Sequence, residues 1–169
     1  MSKGKILVTG GAGYIGSHTT VELQNAGYEV VIVDNLSNSN ADMIDGIERI
    51  TGTRPAFYQV DCNDKVAMKD VFENNKGIKG IIHFAASKAV GESVQKPLMY
   101  YRNNLDSLMT LMELMPEYGV EGIVFSSSCT VYGQPDILPV DETAPIKPAL
   151  SPYGNTKQIN EEIIRDAIY

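Results

Sequence analysis

A doubly wound α/β domain built on a parallel sheet is predicted, and three observations carry that expectation. Short, almost wholly apolar runs rich in Val and Ile recur along the chain. Stretches with helical spacing separate them, and a glycine-rich turn (Gly10, Gly13, Gly16) joins the first run to the first such stretch. Strands apolar on both faces must be covered on both sides, and parallel strands need crossovers that lay helices there. The length, 169 residues, suits one domain spanning residues 1–169.

Ile6–Thr9 is the first apolar run, and it meets glycines at once. Tyr14–Ala26 follows, with Ile15, Leu23 and Ala26 spaced for one helical face and Gly27 as its stop. Glu29–Val33 is dense in β-branched residues and ends at Asp34, which predicts a second buried strand and then a polar loop, Asn35–Asn40. A helix is expected near Ala41–Ile50. The alternation continues with a strand at Ala56–Val60, a helix at Asp64–Asn74 and a strand at Gly80–Phe84. A long helix then runs from about Pro97 to Met115, where Pro116 should end it, before a strand at Gly122–Phe125 and a last helix from Ser151 onward. Pro135–Pro152, rich in proline, reads as an ordered or lid-like loop. Ligands of such sheets sit beyond the carboxyl ends of the strands, so Gly10–Gly16, Asp34–Asn40, Asp61–Asp64, Ala85–Val94 and Ser126–Gly133 are the segments to search.

Composition narrows the partners. Lys plus Arg number 14 against 21 Asp plus Glu, a formal charge of −7, with no basic block. That balance argues against nucleic acid or an anionic membrane. Cys62 and Cys129 stand far apart without Cys or His at ligand spacing, so neither a disulfide nor a metal site is indicated, and a reduced, cytoplasmic setting is expected. The apolar run of the opening MSKGKILVTGG stops at Thr9, too short for a signal peptide, and no run is long enough to span a membrane.

Gly10, Gly13 and Gly16 form G-x-x-G-x-x-G between strand and helix, where glycine allows a tight turn and close approach of backbone amides to a pyrophosphate. Asp34 ends the second strand 18 positions after Gly16, placed to accept hydrogen bonds from both hydroxyls of an adenosine ribose. The same charge would repel a 2′-phosphate, so NAD is favoured over NADP. Asp is also a common loop cap, and that role remains open for Asp34.

Tyr153 and Lys157 are four apart at the start of a helix and share one face. A lysine cation beside a phenol stabilises the phenolate, which can then act as a general base near neutral pH. Ser126, Ser127 and Ser128 follow the fifth strand, so a hydroxyl there could bond a reacting alcohol in the strand-end crevice; a polar turn explains at least two of the three.

GGAGYIGSH, DNLSNS, HFAASKAVGESVQKPLMYYRNN, SSSCTVYG and SPYGNTK together resemble the extended short-chain dehydrogenase/reductases, and closely the UDP-glucose (UDP-galactose) 4-epimerase family among them. The resemblance runs from Lys5 to the end, and the KAVGESV segment is more specific than the glycine fingerprint. It implies a Rossmann fold and NAD contacts from Gly10, Gly13, Tyr14, Ile15 and Gly16 at the pyrophosphate. Asp34, Asn35, Leu36, Ser37, Asn38 and Ser39 would surround the ribose, and Asp61 and Cys62 would lie beside the adenine. Phe84, Ala85, Ala86 and Lys88 match the edge of the fourth strand, where the lysine contacts the cofactor, and Asn103 a further cofactor-side position. Ser128, Tyr153 and Lys157 match the catalytic set, with Ser128 and Tyr153 at the substrate and Tyr153 and Lys157 also against the cofactor. In such enzymes the tyrosinate takes the proton of the sugar's 4-hydroxyl as hydride passes from carbon 4 to tightly held NAD. The 4-keto sugar turns over and takes the hydride back on its other face, interconverting UDP-galactose and UDP-glucose in galactose metabolism.

Three positions depart from the resemblance: Ala86 and Ser87 stand where Gly and Leu are usual, and Cys129 where Ala is usual. They leave a UDP-N-acetylhexosamine open, and a UDP-uronate enzyme stays open because much of its carboxylate recognition would lie further along the chain. Cys129-Thr130 replaces the Asp-Glu expected of a 4,6-dehydratase. Family members are roughly twice this long, and the chain is expected to be the N-terminal half, with the substrate domain absent. A catalytically inactive NAD-binding fragment is therefore the competing reading. His18 and His83 read as packing or hydrogen-bonding residues. The apolar long helix and the Tyr-Lys helix pack against symmetry mates in the family, which implies a homodimer.

Overall fold

The computed structural model describes residues 2–167. The end of the predicted last helix, Ile168 and Tyr169, lies outside the described residues. The chain divides into two compact units, one of Met1–Ala85 and Ser107–Ser126, the other of Ala86–Asp106 and Ser127–Tyr169.

The first unit holds a five-stranded parallel sheet: β1 (Lys5–Thr9), β2 (Glu29–Val33), β3 (Ala56–Tyr58), β4 (Ile78–His83) and β5 (Gly122–Phe125), in the order β3-β2-β1-β4-β5. The chain winds outward from β1 to β3, then returns to place β4 on the other side of β1. That reversal makes the β1/β4 boundary the switch point at which doubly wound sheets take ligands.

Successive residues of a strand face opposite ways, and the core follows that period of two. Leu7, Val31, Val33 and Ile81 point to one face, covered by Met68, Val71 and Phe72 of α3 (Lys65–Asn74) and by Leu111 and Leu114 of α5 (Pro97–Tyr118). Val8, Val30 and Ile32 point to the other, covered by α1 (Tyr14–Asn25) and by Ile44 and Ile47 of α2 (Asp42–Thr51). Covered on both faces, β1 and β2 show no polar alternation, whereas the edge strand β5 leaves Val124 62% exposed.

Three expectations shift. β3 ends at Tyr58 rather than Val60 because its partner β2 runs out at Val33, paired with Tyr58. β4 begins at Ile78 rather than Gly80 and stops at His83 rather than Phe84, since its partner β1 ends at Thr9 and the chain turns at Gly10. Pro116 does not end α5, which continues to Tyr118. A proline there removes one helical hydrogen bond, but side chains beyond it are anchored: Glu117 pairs with Lys69 at 2.9 Å and the Tyr118 ring stacks on Phe72 at 5.0 Å. Gly119, at φ +66°, terminates the helix.

The second unit contains a short helix not predicted from the sequence, α4 (Val90–Gln95), the first part of α5, a 3₁₀ turn at Cys129–Tyr132 and α6 (Pro152–Ala167). The proline-rich connection is tied down rather than free. The Gln158 amide of α6 donates to the carbonyls of Val131 at 2.6 Å and Lys147 at 2.5 Å, and Lys147 pairs with Asp136 at 2.6 Å.

Candidate functional site

The glycine turn is packed backbone against backbone. A Cβ on Gly16 would lie 2.3 Å from the carbonyl oxygen of Gly10, and one on Gly10, itself at φ +69°, would lie 2.7 Å from the Ala85 nitrogen. Gly13 caps α1 with extended backbone and no side chain, and the first turn carries no acid. Tyr14 and Ile15 turn their side chains to solvent, 75% and 59% exposed. The first amides of a helix have no intrahelical acceptor, so this bare end is a cradle for an anion. Gly16→Ala is expected to weaken NAD binding at least about tenfold and to cost about 1–3 kcal/mol of stability, because the methyl group must displace main chain. Calorimetric titration and a urea melt check this; unchanged affinity would refute the cradle.

Asp34 sits at the carboxyl end of β2 and is buried. Its Oδ2 accepts from the Ala12 amide at 3.0 Å, and its Oδ1 accepts from the Leu36 amide at 2.9 Å and the Ser39 hydroxyl at 2.7 Å. Asp34 therefore acts as a cap: three of roughly four lone-pair sites hold the glycine turn and the next loop, leaving about one for a ligand hydroxyl rather than the two a ribose offers. Leu36 takes φ +58°, held there by that carboxylate. Asn35 donates to Asp61 at 3.0 Å and accepts from the Ser37 amide at 3.0 Å, while Ser37 and Asn38 are exposed.

Burial pulls the Asp61 carboxyl upward, but hydrogen bonds from the Asn63 backbone, Asn35 and the Asn63 side chain outweigh it and hold the group below its usual range. Cys62 turns its side chain into the core, so only its backbone is left to face a ligand. Burial first, then the carboxylates of Asp61 and Asp34, push its thiol up to about 12 despite an opposing bond from Thr9, which makes it inert. Phe84 and Ala85 follow β4, half-buried beside Gly10. His83 is buried, its Nδ1 2.6 Å from the Thr9 hydroxyl and its Nε2 3.5 Å from that of Ser107; His18 Nδ1 lies 2.8 Å from the Tyr14 carbonyl oxygen. Both histidines are engaged as packing and hydrogen-bonding groups.

In the second unit, Ala86 is half-buried and Lys88 exposed. Asn103 donates to the Ser87 hydroxyl at 3.2 Å and to Asn104 Oδ1 at 2.9 Å. Ser128 precedes the 3₁₀ turn; its hydroxyl oxygen accepts from the Thr130 amide at 3.3 Å and the Thr130 hydroxyl at 3.0 Å, and Ser127 donates to Glu161. Tyr153 and Lys157 lie in the first turns of α6, with the lysine Nζ 5.9 Å from the centre of the tyrosine ring. Lys157 is 3% exposed, and burial lowers its amine to about 8. The sequence reading missed Asn104, whose buried amide donates to Thr156 at 3.1 Å while the Thr156 hydroxyl donates to the Tyr153 carbonyl at 2.7 Å. The adjacent amides of RNN in an otherwise apolar helix were the available signal.

The profile of the NAD dependent epimerase/dehydratase family matches residues 6–168. The chain belongs to this family. Among curated relatives it is 55% identical over 161 residues to the UDP-glucose 4-epimerase of Bacillus subtilis (strain 168), covering 95% of this chain and 47% of that protein. The solved UDP-glucose 4-epimerase of Bifidobacterium longum, in complex with NAD+ and UDP, matches with a TM-score of 0.93 and 48% identity over 96% of this chain and 48% of that one. The UDP-Glc/GlcNAc 4-epimerase of Campylobacter jejuni matches with a TM-score of 0.89 and 40% identity, over 97% of this chain and 49% of that one. The chain therefore spans about half the length of the relatives it matches. Within this NAD-dependent family the glycine cradle, the uncapped α1 and the Asp34 carboxylate fit a dinucleotide with free ribose hydroxyls.

Proposed function

We propose that the whole protein is an NAD-dependent UDP-glucose 4-epimerase, interconverting UDP-galactose and UDP-glucose, and that this chain supplies its cofactor-binding and proton-transferring residues. The observation that carries the reading is the buried Lys157 amine beside the Tyr153 ring, one turn apart on α6. A cation held there stabilises a phenolate, and a phenolate can take the proton of a sugar hydroxyl. Ser128, presented at the start of its 3₁₀ turn, orients that hydroxyl. Bound NAD supplies the reversible hydride acceptor. Gly10, Gly13, Tyr14, Ile15 and Gly16 hold its pyrophosphate; Asp34 with Asn35, Leu36, Ser37, Asn38 and Ser39 hold the ribose; Asp61 and the backbone of Cys62 adjoin the adenine. Phe84, Ala85, Ala86, Lys88 and Asn103 complete the cofactor contacts. Base and acceptor must meet the same sugar carbon for the two transfers to be concerted.

Proton NMR of UDP-galactose incubated with the chain and NAD, following the anomeric signals for UDP-glucose, tests this directly. Conversion supports the epimerase reading. NAD binding without conversion supports the second reading, a cofactor-binding fragment, favoured by the chain's spanning half of its relatives. UDP-N-acetylglucosamine belongs in the same assay because of the Campylobacter neighbour.

Among the described residues no helix is long and apolar enough to cross a membrane, and we assign the protein to the cytoplasm. A homodimer is the expected assembly: Leu98, Met99 and Met109 of α5 are exposed apolar side chains in want of a cover. Equilibrium sedimentation should give twice the chain mass, and a monomer at all concentrations would refute it.

A further inference from the structure

We propose that Tyr100 and Asn104, one turn apart on α5, brace the backbone on both sides of Lys88 and thereby position that lysine for the cofactor. Both are positioning residues that act through Lys88, and the inference rests on the cofactor role given to Lys88 above.

Lys88 lies in a segment, 84–89, without helix or strand, so no regular ladder holds its backbone. Its side chain is exposed, and a long flexible amine loses affinity through the rotamer freedom it must surrender on binding. Side chains of α5 replace the missing ladder. Asn104 accepts from the Ser87 amide at 2.8 Å and donates to the Ser87 carbonyl at 2.9 Å, a two-point grip on the residue before Lys88. Tyr100 accepts from the amide of Ala89, the residue after it, at 3.0 Å. Tyr100 also donates to Glu92 Oε2 at 3.0 Å, and Glu92 is paired with Lys96 at 3.1 Å, so the phenol is fixed as well as fixing. Both gripping side chains are buried, Tyr100 completely.

Asn104 makes one further contact that gives the brace a chemical address. It donates to Thr156, whose hydroxyl donates to the carbonyl of Tyr153. The same asparagine thus holds the Lys88 segment and the first turn of α6 at once. The grip is on the peptide groups of Ser87, so the position tolerates Ser in place of the usual Leu, and the Ser87 hydroxyl adds a bond from Asn103.

The test is a double-mutant cycle on the full 169-residue chain, with NAD affinity read by calorimetric titration. Lys88→Ala should weaken binding about tenfold, the scale of one charge-assisted hydrogen bond. Tyr100→Phe keeps the buried ring and removes only the hydroxyl, and should weaken binding about threefold or more. The double variant should bind as Lys88→Ala does, because a brace has no effect once the lysine is gone. Multiplying losses, an unchanged Tyr100→Phe or an unchanged Lys88→Ala would each overturn the inference. Amide exchange supplies an arm that needs no cofactor: Ala89 should lose protection about tenfold in Tyr100→Phe. A wild-type chain that binds no NAD would count against the proposed function. The brace would then be upheld by loss of Ala89 protection and overturned by its retention.

Discussion

Replacing Tyr153 by Phe is expected to lower epimerisation of UDP-galactose by about 10²–10⁴-fold, the usual contribution of a positioned general base, while NAD affinity stays within about twofold. The variant keeps the ring and so keeps its contact with Lys157; what it loses is the single oxygen proposed to exchange a proton with the sugar. Proton NMR of the anomeric signals measures the first quantity and calorimetric titration the second. Full turnover in Tyr153→Phe would sink the assignment of the base. Should the wild-type chain convert nothing by itself, the same comparison belongs in the whole protein, and the chain is then a cofactor-binding fragment.

Lys157→Met is expected to abolish turnover and yet stabilise the fold at pH 7, by on the order of 3–4 kcal/mol. Burial lowers the Lys157 amine from its ordinary 10.5 to about 8, and each unit of displacement corresponds to about 1.4 kcal/mol. The sign follows from proton counting. Below about pH 8 the amine is charged in both folded and unfolded chains, and the cost of burying that charge is fully present. Between about 8 and 10.5 the unfolded chain holds the proton that the folded chain has released, so stability rises with pH. Methionine keeps an apolar stem and carries no charge, so the gap between variant and wild type should be widest near pH 7 and should close toward pH 10. Urea melts across that range measure it. A variant less stable than wild type at pH 7 would mean that the buried ammonium is fully compensated by its surroundings. Stability given up at Lys157 is what the catalytic role proposed for it predicts, since functional sites characteristically show it.

The candidate site residues were legible because the patterns that mark them are local. Gly10, Gly13 and Gly16 act within one turn, Asp34 closes the next strand, and Tyr153 and Lys157 are neighbours by helical spacing alone. How many donors Asp34 holds was not legible. A sequence offers cap and ribose acceptor as alternatives, whereas the folded loop satisfies three donors on one carboxylate. That the Cys62 side chain points into the core was not legible either, being a matter of which way one residue turns in the loop after β3. Asn104 and Tyr100 escaped notice for a different reason. Their partners on other segments lie 8 to 52 positions away in the chain, so the paired amides of an apolar helix mark a polar role but not what it holds.

The sequence by itself determined the alternation of strand and helix, the parallel sheet and the dinucleotide turn. These follow from apolar periodicity and from the few residues that can occupy a tight backbone turn, both of which act over a handful of positions. Tertiary structure alone decided where β3 and β4 stop, whether Pro116 could end α5, and which buried polar side chains hold the backbone beside Lys88 and at Tyr153. Each of those outcomes depends on a partner distant in sequence: a neighbouring strand that runs out, an aromatic ring on another helix, an amide across the fold. A hydrogen bond or a packed ring becomes worth more than a local propensity only once folding has brought that partner within reach and taken water away.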